Sequence, residues 1–345
     1  MIVPHGTPKN YFKVILRLLK DAGLKKTINM VTTLLIKLSR HIAYNFLKGK
    51  NAHAIVTQKI LGHTMYISLE DKGLSQELFI YGIHEPFLTL LILNEIKEGD
   101  VIIEAGANIG YYTLLECSLI KGKGRIIAIE PDPRSRKMLR VNVVKNGYAQ
   151  NVEIIPVAIS AKRGKKTLFL SSMWNLSTVG FSMLKESVTR IIDVIPLDEL
   201  VLDESKIDVI RMDIEGGEFK VINGMVRTFL KFRPRLLIIE LHPVADDDLV
   251  WAFFETLTNL GYKIKWAIPR RLMHAMLNVP RPLLNEAIEI ILGCAQRYLK
   301  NTRIKPTEEI SMEMFAKKFL LQDEVYHVIF AYDVAHGKAL NEANR

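Results

Sequence analysis

Cysteine is nearly absent: Cys117 and Cys294 stand far apart, with no C-x-x-C pair and no His-Cys cluster. That argues against a disulfide framework and a structural zinc, and it suits a reducing, cytosolic setting. Long apolar runs are also missing. The best stretch is broken by Lys37, Arg40 and His41 before it reaches the ~18 residues of a membrane span. The first residues lack the order of a secretory signal, so neither a span nor a leader is expected. There is no G-x-x-x-x-G-K-[ST] loop for a nucleoside triphosphate. The N-P-P-[YF] and D-P-P-Y loops that serve base amines are absent, as is a Pro-Cys dipeptide for attack on cytosine. Acid is scarce in one place. Residues 9–50 hold ten Lys or Arg against Asp21 alone, almost the whole formal net charge of +10.

The chain of 345 residues is 49% hydrophobic, enough for one large domain with additions or for two domains. The excess charge suits nucleic acid, a lipid headgroup surface or an anionic substrate carrier, and by itself selects none of them. Within residues 9–50, Leu16, Leu18, Leu19, Val31, Leu34, Leu35, Leu38 and Ile42 recur near helical spacing, while Lys13, Arg17 and Lys20 align on another face. Two basic amphipathic helices broken near Gly23 are expected. Their basic face is either solvated or docks on a membrane surface or substrate. Residues 53–82 alternate like a β-hairpin turning near Gly62-His63, and a helix is expected from Pro86 to Lys97 with the proline in its first turn.

From residue 101 the pattern changes. VIIE (101–104), RIIAIE (125–130), VEIIPV (152–157), IDVIRMD (207–213) and RLLIIEL (235–241) are short, continuous apolar runs. Such strands are buried on both faces, which predicts a doubly wound α/β core with a parallel sheet. A helix over 246–260 leads to a sixth strand, YKIKWAI (262–268). Residues 270–322 form a mostly helical insertion placed to act as a lid, and EVYHVIFAY (324–332) returns as the last strand. The tail from 336 should fray.

The turn in VIIEAGANIGYYTL (101–114) sits where an open α/β sheet binds nucleotides. Its glycines do not follow the dinucleotide order, because Asn108 and Tyr111 occupy the second and third glycine positions. A pyrophosphate is therefore disfavoured, and NAD with it. Glu104 puts a carboxylate before the turn, which suits a cationic ligand such as S-adenosylmethionine. Glu130, at the end of the second strand in AIEPDP, can accept both ribose hydroxyls.

The ordered strings EGDVIIEAGANIGYYTL, IIAIEPDPRSRKMLRVNVVKNG, IIPVAIS, IPLDEL, IDVIRMDIEGGEFKVINGM and PRLLIIELHP resemble the FkbM family of S-adenosylmethionine-dependent methyltransferases. They cover roughly residues 75–245. The family usually has Asp where this chain has Glu104, and Lys where it has Arg211. The resemblance implies a Rossmann-like class I methyltransferase fold: a mostly parallel seven-stranded sheet with helices on both faces. To this are added an N-terminal extension (1–50), a hairpin and helix (51–97), the domain proper (98–335) with its insertion at 270–322, and the tail (336–345). By matching position it places Glu104, Gly106, Asn108 and Gly110 at the methionine end of S-adenosylmethionine, Glu130 on the ribose and Ala158 at the adenine edge. GIHEP (82–86) resembles the family's entry segment, so Glu85 is expected to close the cofactor pocket.

Methyl transfer from a sulfonium requires an aligned, deprotonated acceptor. The ends of the fourth and fifth strands carry Asp213, Glu215, Glu218, Glu240 and His242. His242 is the natural base near neutral pH, and Asp213 or Glu240 serves if partly desolvated. Alternatively Asp213, Glu240 and His242 hold a divalent cation. Glu215 and Glu218 also have a structural reading as helix caps, and His274 and His327 are expected to be structural. The leading expectation is O-methylation of a hydroxyl on a sugar of a glycan or glycolipid, in the cytoplasm or peripherally at the inner membrane surface through residues 9–50. The alternative is an RNA ribose methyltransferase clamping phosphates with the same segment. A non-catalytic binding protein is the third reading, disfavoured by the intact acidic set.

Overall fold

The computed structural model describes residues 23–180, 188–244, 246–270, 311–321 and 324–333; of residues 23–31, 33 and 34 the backbone alone is described. Seven strands form the main sheet: β3 (Val101–Ala105), β4 (Arg125–Ile129), β5 (Val152–Ile155), β10 (Val209–Met212), β11 (Leu236–Leu241), β12 (Tyr262–Pro269) and β13 (Tyr326–Tyr332). Their order is β12-β13-β11-β10-β3-β4-β5. Four pairings are parallel, and β13 runs antiparallel to both its neighbours, so the sheet is mixed. All seven segments coincide with the apolar runs of the sequence. The single reversal needs no crossover helix, because β13 returns between β11 and β12.

Alternation along the strands divides the interior into two cores. Ile102, Ile126, Val209, Leu236 and Ile238 pack under helices Pro86–Glu95, Tyr111–Ile120 and Pro133–Lys145. Ile103, Ile127, Ile210, Leu237 and Ile239 face the opposite layer. There the helix Asp247–Asn259 buries Val250, Phe253, Phe254 and Leu257, an i, i+3, i+4, i+7 stripe. Side-chain caps start three helices where chain direction matters: Asp132 accepts from Arg134 N–H at 2.8 Å, Asp246 from Leu249 N–H at 3.2 Å and Ser311 from Met314 N–H at 3.0 Å.

The expected hairpin forms from β1 (Ile55–Ile60) and β2 (His63–Ser68), turning through Leu61 and Gly62. Helix Pro86–Glu95 starts at its proline and ends two residues short of Lys97. Of the two N-terminal helices, the second is a helix over Gly23–Lys50, and the first lies outside the described residues. So do most of the insertion, apart from helix Met312–Leu320, and the tail. A second sheet, not expected from the sequence, contains β6 (Ala158–Ile159), β7 (Gly164–Leu170), β8 (Thr178–Val179) and β9 (Val188–Ile195), in the order β6-β9-β7-β8. Among the described residues no helix is long and apolar enough to cross a membrane.

Candidate active site

The carboxyl ends of β3, β4, β10 and β11 open into a cleft with an empty volume of about 1390 Å3 including its mouth. Gly106, Asn108, Glu130 and Ala158 line one part of it; Glu85, Asp213 and Glu240 line the other. Glu104, Gly110 and His242 do not face it. The two halves are joined at Gly106, whose φ is +85°. A Cβ there would lie 1.9 Å from the Asp213 carbonyl oxygen, so only glycine lets the β3 turn rest on the chain leaving β10. Asp213 N–H in turn donates to the Ala105 carbonyl at 3.0 Å. Gly110 serves packing rather than lining. Its φ is +90°, and a Cβ would meet Leu139 Cδ1 at 2.7 Å on the neighbouring helix.

Asn108 adopts a left-handed backbone, φ 51°, which directs its N–H to Glu130 Oε2 at 2.7 Å. The other oxygen of Glu130 accepts from Asp132 N–H at 2.7 Å. Burial and the nearby Asp132 charge push the Glu130 carboxyl up to about 8. The Asn108 side-chain oxygen is buried without a partner among the described residues, an acceptor left for a ligand's donor.

Glu104 lies one residue short of the cleft. The register of β3 against β10 sets it directly opposite Arg211. Its carboxylate receives the Arg211 guanidinium and, at 2.5 Å, the Thr113 hydroxyl. Arg211 also stacks 4.3 Å from the centre of the Tyr112 ring and approaches Glu116 at 3.7 Å. The expected role of Glu104 toward a cationic ligand is thus taken by a side chain of this protein.

His242 is gripped from both sides. Its Nδ1 lies 3.1 Å from Glu218 and its Nε2 3.2 Å from Glu215. Burial alone would depress its pKa, but the two carboxylates push it up to about 12, which makes it a fixed imidazolium rather than a base near neutral pH. Glu218 also accepts from the Ile214 and Gly216 N–H groups, so it organises the turn as its capping reading implied. Glu215 reaches His242 through a left-handed backbone at φ 54°, a conformation that costs free energy and marks functional turns.

The acids and histidines gather in two groups: Asp213 with Glu215 and His242, and Glu85 with Glu240 and His327. The expected cation set of Asp213, Glu240 and His242 is therefore divided between them. Burial, together with the charges of Asp213 and Glu85, pushes the Glu240 carboxyl well above its usual range. Burial would raise Glu85 as well, yet His327 and His84 hold it well below. Three neighbours were not singled out by sequence, Asp132, His84 and Arg270, and His327, expected to be structural, lies beside Glu85 and Glu240. Asp132 was legible as an acid before Pro133, a helix-start signal. Arg270 lines the cleft and lies 3.4 Å from Glu240, and no spacing in the sequence marks it.

Residues 104–264 match the family model described as the Methyltransferase FkbM domain. Among curated proteins the chain is similar to the hexuronic acid methyltransferase AglP of Haloferax volcanii, 28% identical over 160 residues. That alignment covers 45% of this chain and 62% of AglP, so the chain spans less than two thirds of that relative's length. Among solved structures it is similar to the methyltransferase FkbM of Methylobacillus flagellatus (21% identity, TM-score 0.34, 48% of this chain and 39% of that one). It is also similar to a SAM-dependent O-methyltransferase of Thermotoga maritima (15% identity, TM-score 0.33, 53% and 51%).

Proposed function

From the membership of residues 104–264 in the FkbM methyltransferase family, we propose that the protein transfers a methyl group from S-adenosylmethionine to a hydroxyl of a sugar in a glycan or glycolipid. The observation that carries this reading is the Gly106–Asp213 contact, which sets the cofactor turn against the acids over which an acceptor would lie. The strand order with its one reversed member supports the Rossmann-like class I fold implied by the sequence resemblance. The sugar acceptor is supported by the likeness to a hexuronic acid methyltransferase.

The chain's residues fit the cofactor. Glu130 is oriented by two backbone N–H groups and keeps lone pairs for two ribose hydroxyls, and Asn108 offers an ammonium a carbonyl oxygen that has no partner among the described residues. When bound, S-adenosylmethionine supplies an activated methyl group on a good leaving group. The protein's task is to align the acceptor and take its proton. Burial and the charges of Asp213 and Glu85 raise the Glu240 carboxyl, and its place in the cleft wall sets it beside the acceptor. Asp213, with an oxygen buried without a hydrogen-bond partner among the described residues, is the proton acceptor.

Calorimetric titration with S-adenosylmethionine and with NAD tests the cofactor. Binding of the former alone is expected. Glu130→Ala should weaken it roughly 5- to 150-fold through the loss of two hydrogen bonds of about 0.5–1.5 kcal/mol each. An unchanged affinity would remove Glu130 from the site.

The helix Gly23–Lys50 supports a membrane-peripheral location. Tyr44 is buried on its inner side, while Leu35, Leu38, Ile42 and Phe46, at i, i+3, i+7 and i+11, are 58–61% exposed. An apolar stripe on a segment so rich in Lys and Arg complements an anionic bilayer. Sedimentation with vesicles containing phosphatidylglycerol should retain the protein, and vesicles of phosphatidylcholine alone should retain far less. Ile42→Glu with Phe46→Glu is expected to weaken binding about 100-fold or more, since each side chain contributes roughly 1.5–3 kcal/mol when withdrawn from water. Equal retention of the double variant would refute the docking face.

A further inference from the structure

At the floor of the cleft Glu85, Glu240 and His327 converge from three elements: the start of helix Pro86–Glu95, the end of β11 and β13. The register of β11 on β13 sets Glu240 opposite His327. Glu85 is delivered by a left-handed backbone, φ 39°, in the residue before Pro86, a strained placement that proline disfavours. All three are at least nine-tenths buried. One donor atom from each lies within 4.8 Å of the others. His327 Nε2 is 3.1 Å from Glu85 Oε1 and 3.6 Å from Glu240 Oε1.

These separations suit ligands of one ion. Oxygen and nitrogen donors at about 2.0–2.2 Å from a common metal lie roughly 2.9–3.6 Å from one another in octahedral or tetrahedral arrangements. A second observation points the same way. Glu240 Oε1, His327 Nε2 and Asp213 Oδ1 are buried without hydrogen-bond partners among the described residues, and the residues that carry them wall one small cavity together with Glu85. Native interiors rarely leave three such atoms unmet around one void unless something occupies it.

We propose that Glu85, Glu240 and His327 form a site for a divalent transition-metal cation of the Mn2+, Fe2+ or Zn2+ class. An imidazole with two carboxylates suits these ions better than Ca2+ or Mg2+, which prefer all-oxygen sets. Glu85 and Glu240 also line the main cleft, so the remaining coordination positions open toward it. The other group lies around His242, whose Nδ1 and Nε2 sit 3.1 and 3.2 Å from Glu218 and Glu215. Arg270 lies 3.4 Å from the same Glu240 oxygen and competes with the ion for it.

The test uses the full chain stripped with a chelator and titrated with MnCl2, bound ion being counted by electron paramagnetic resonance, and in parallel with ZnCl2 by calorimetry. No methyl donor is present, so the outcome is independent of the methyltransferase reading. One ion per chain is expected, with a nitrogen coupling from directly bound imidazole in the Mn2+ spectrum. Glu240→Gln and His327→Phe should each weaken binding more than about tenfold, and the latter should abolish the nitrogen coupling. Arg270→Gln should tighten binding, and Glu215→Gln should leave the stoichiometry at one. Failure of the wild-type chain to take up either ion stoichiometrically overturns the proposal, whatever the variants do. Uptake that survives both Glu240→Gln and His327→Phe overturns it as well.

Discussion

Arg211→Met is expected to lower stability by about 3–5 kcal/mol, the usual cost of breaking a buried ion pair from one side. The guanidinium sits between β3, β10 and helix Tyr111–Ile120, where Glu104 and Glu116 are both fully buried. Glu104 is the carboxylate it neutralises. Burial and the Glu104 charge push Glu116 well above the ordinary range, so this second acid is held protonated. The variant leaves Glu104 with the Thr113 hydroxyl as its nearest compensation. Adding Glu104→Gln should therefore restore most of the loss, whereas Glu116→Gln alone should cost little. The pH dependence has a definite sign. Burial already raises the Glu104 carboxyl against the pull of Arg211, and in the Arg211 variant its folded pKa rises further above the unfolded value. Its penalty is then small below about pH 4 and grows as pH rises. Urea unfolding of the three variants at pH 5 and pH 8 measures this. An Arg211→Met protein as stable as wild type at pH 8 would mean that the triad carries no net charge to compensate.

The same triad shows what the sequence conceals. Five of the seven core strands were legible because continuous apolar runs of four to seven residues have one economical fate, burial between helical layers, and the last two because apolar segments follow the helix and the insertion. What such runs do not state is which way each polar residue points at a strand end. In β3, period two places Glu104 with Ile102 on the face under helix Tyr111–Ile120, and it is Ala105 and Gly106 that reach the cleft. Position in the motif suggested a ligand contact; the pleat makes it a buried ion pair. His242 is a parallel case. Its place beside Glu240 near the strand end was readable, but the grip of Glu215 and Glu218 depends on a left-handed turn more than 20 residues away.

The second sheet was missed for a different reason. Its strands β6 and β8 have two residues each, and β9 is exposed along most of its length. Neither gives the apolar periodicity on which recognition of a strand depends. Yet this sheet supplies Ala158 to the cleft wall, and the loop before β8 brings the Ser177 hydroxyl to Asp132 at 3.0 Å. The proposed cofactor end of the cleft is thus built partly from elements that only tertiary pairing defines. That Gly106, Asn108 and Glu130 share the cleft was readable because a strand, a tight turn and an acid at the next strand end recur at fixed offsets.

Asp213→Asn is expected to lower kcat by about 10²- to 10⁴-fold, the usual contribution of a positioned general base, while changing the affinity for S-adenosylmethionine less than about threefold. The substitution keeps the shape and the backbone contact with Gly106, so the cofactor turn is undisturbed. It removes a carboxylate whose Oδ1 is buried without a hydrogen-bond partner among the described residues. His242→Gln should behave differently. The imidazolium between Glu215 and Glu218 contributes stability that is fully present below its ordinary pKa of about 6.5 and is lost as pH rises toward about 12. Its loss should show as a lower melting temperature across neutral pH, with no selective effect on the proton-transfer step. A wild-type kcat profile should accordingly show no histidine limb between pH 6 and 7. If such a limb appears and vanishes in His242→Gln, then the histidine is released from its carboxylates during turnover and becomes the base itself. If instead Asp213→Asn retains kcat within tenfold, proton acceptance belongs to neither Asp213 nor its hydrogen-bonding capacity, and Glu240, ionised by the bound acceptor, is the group left at the strand ends to perform it.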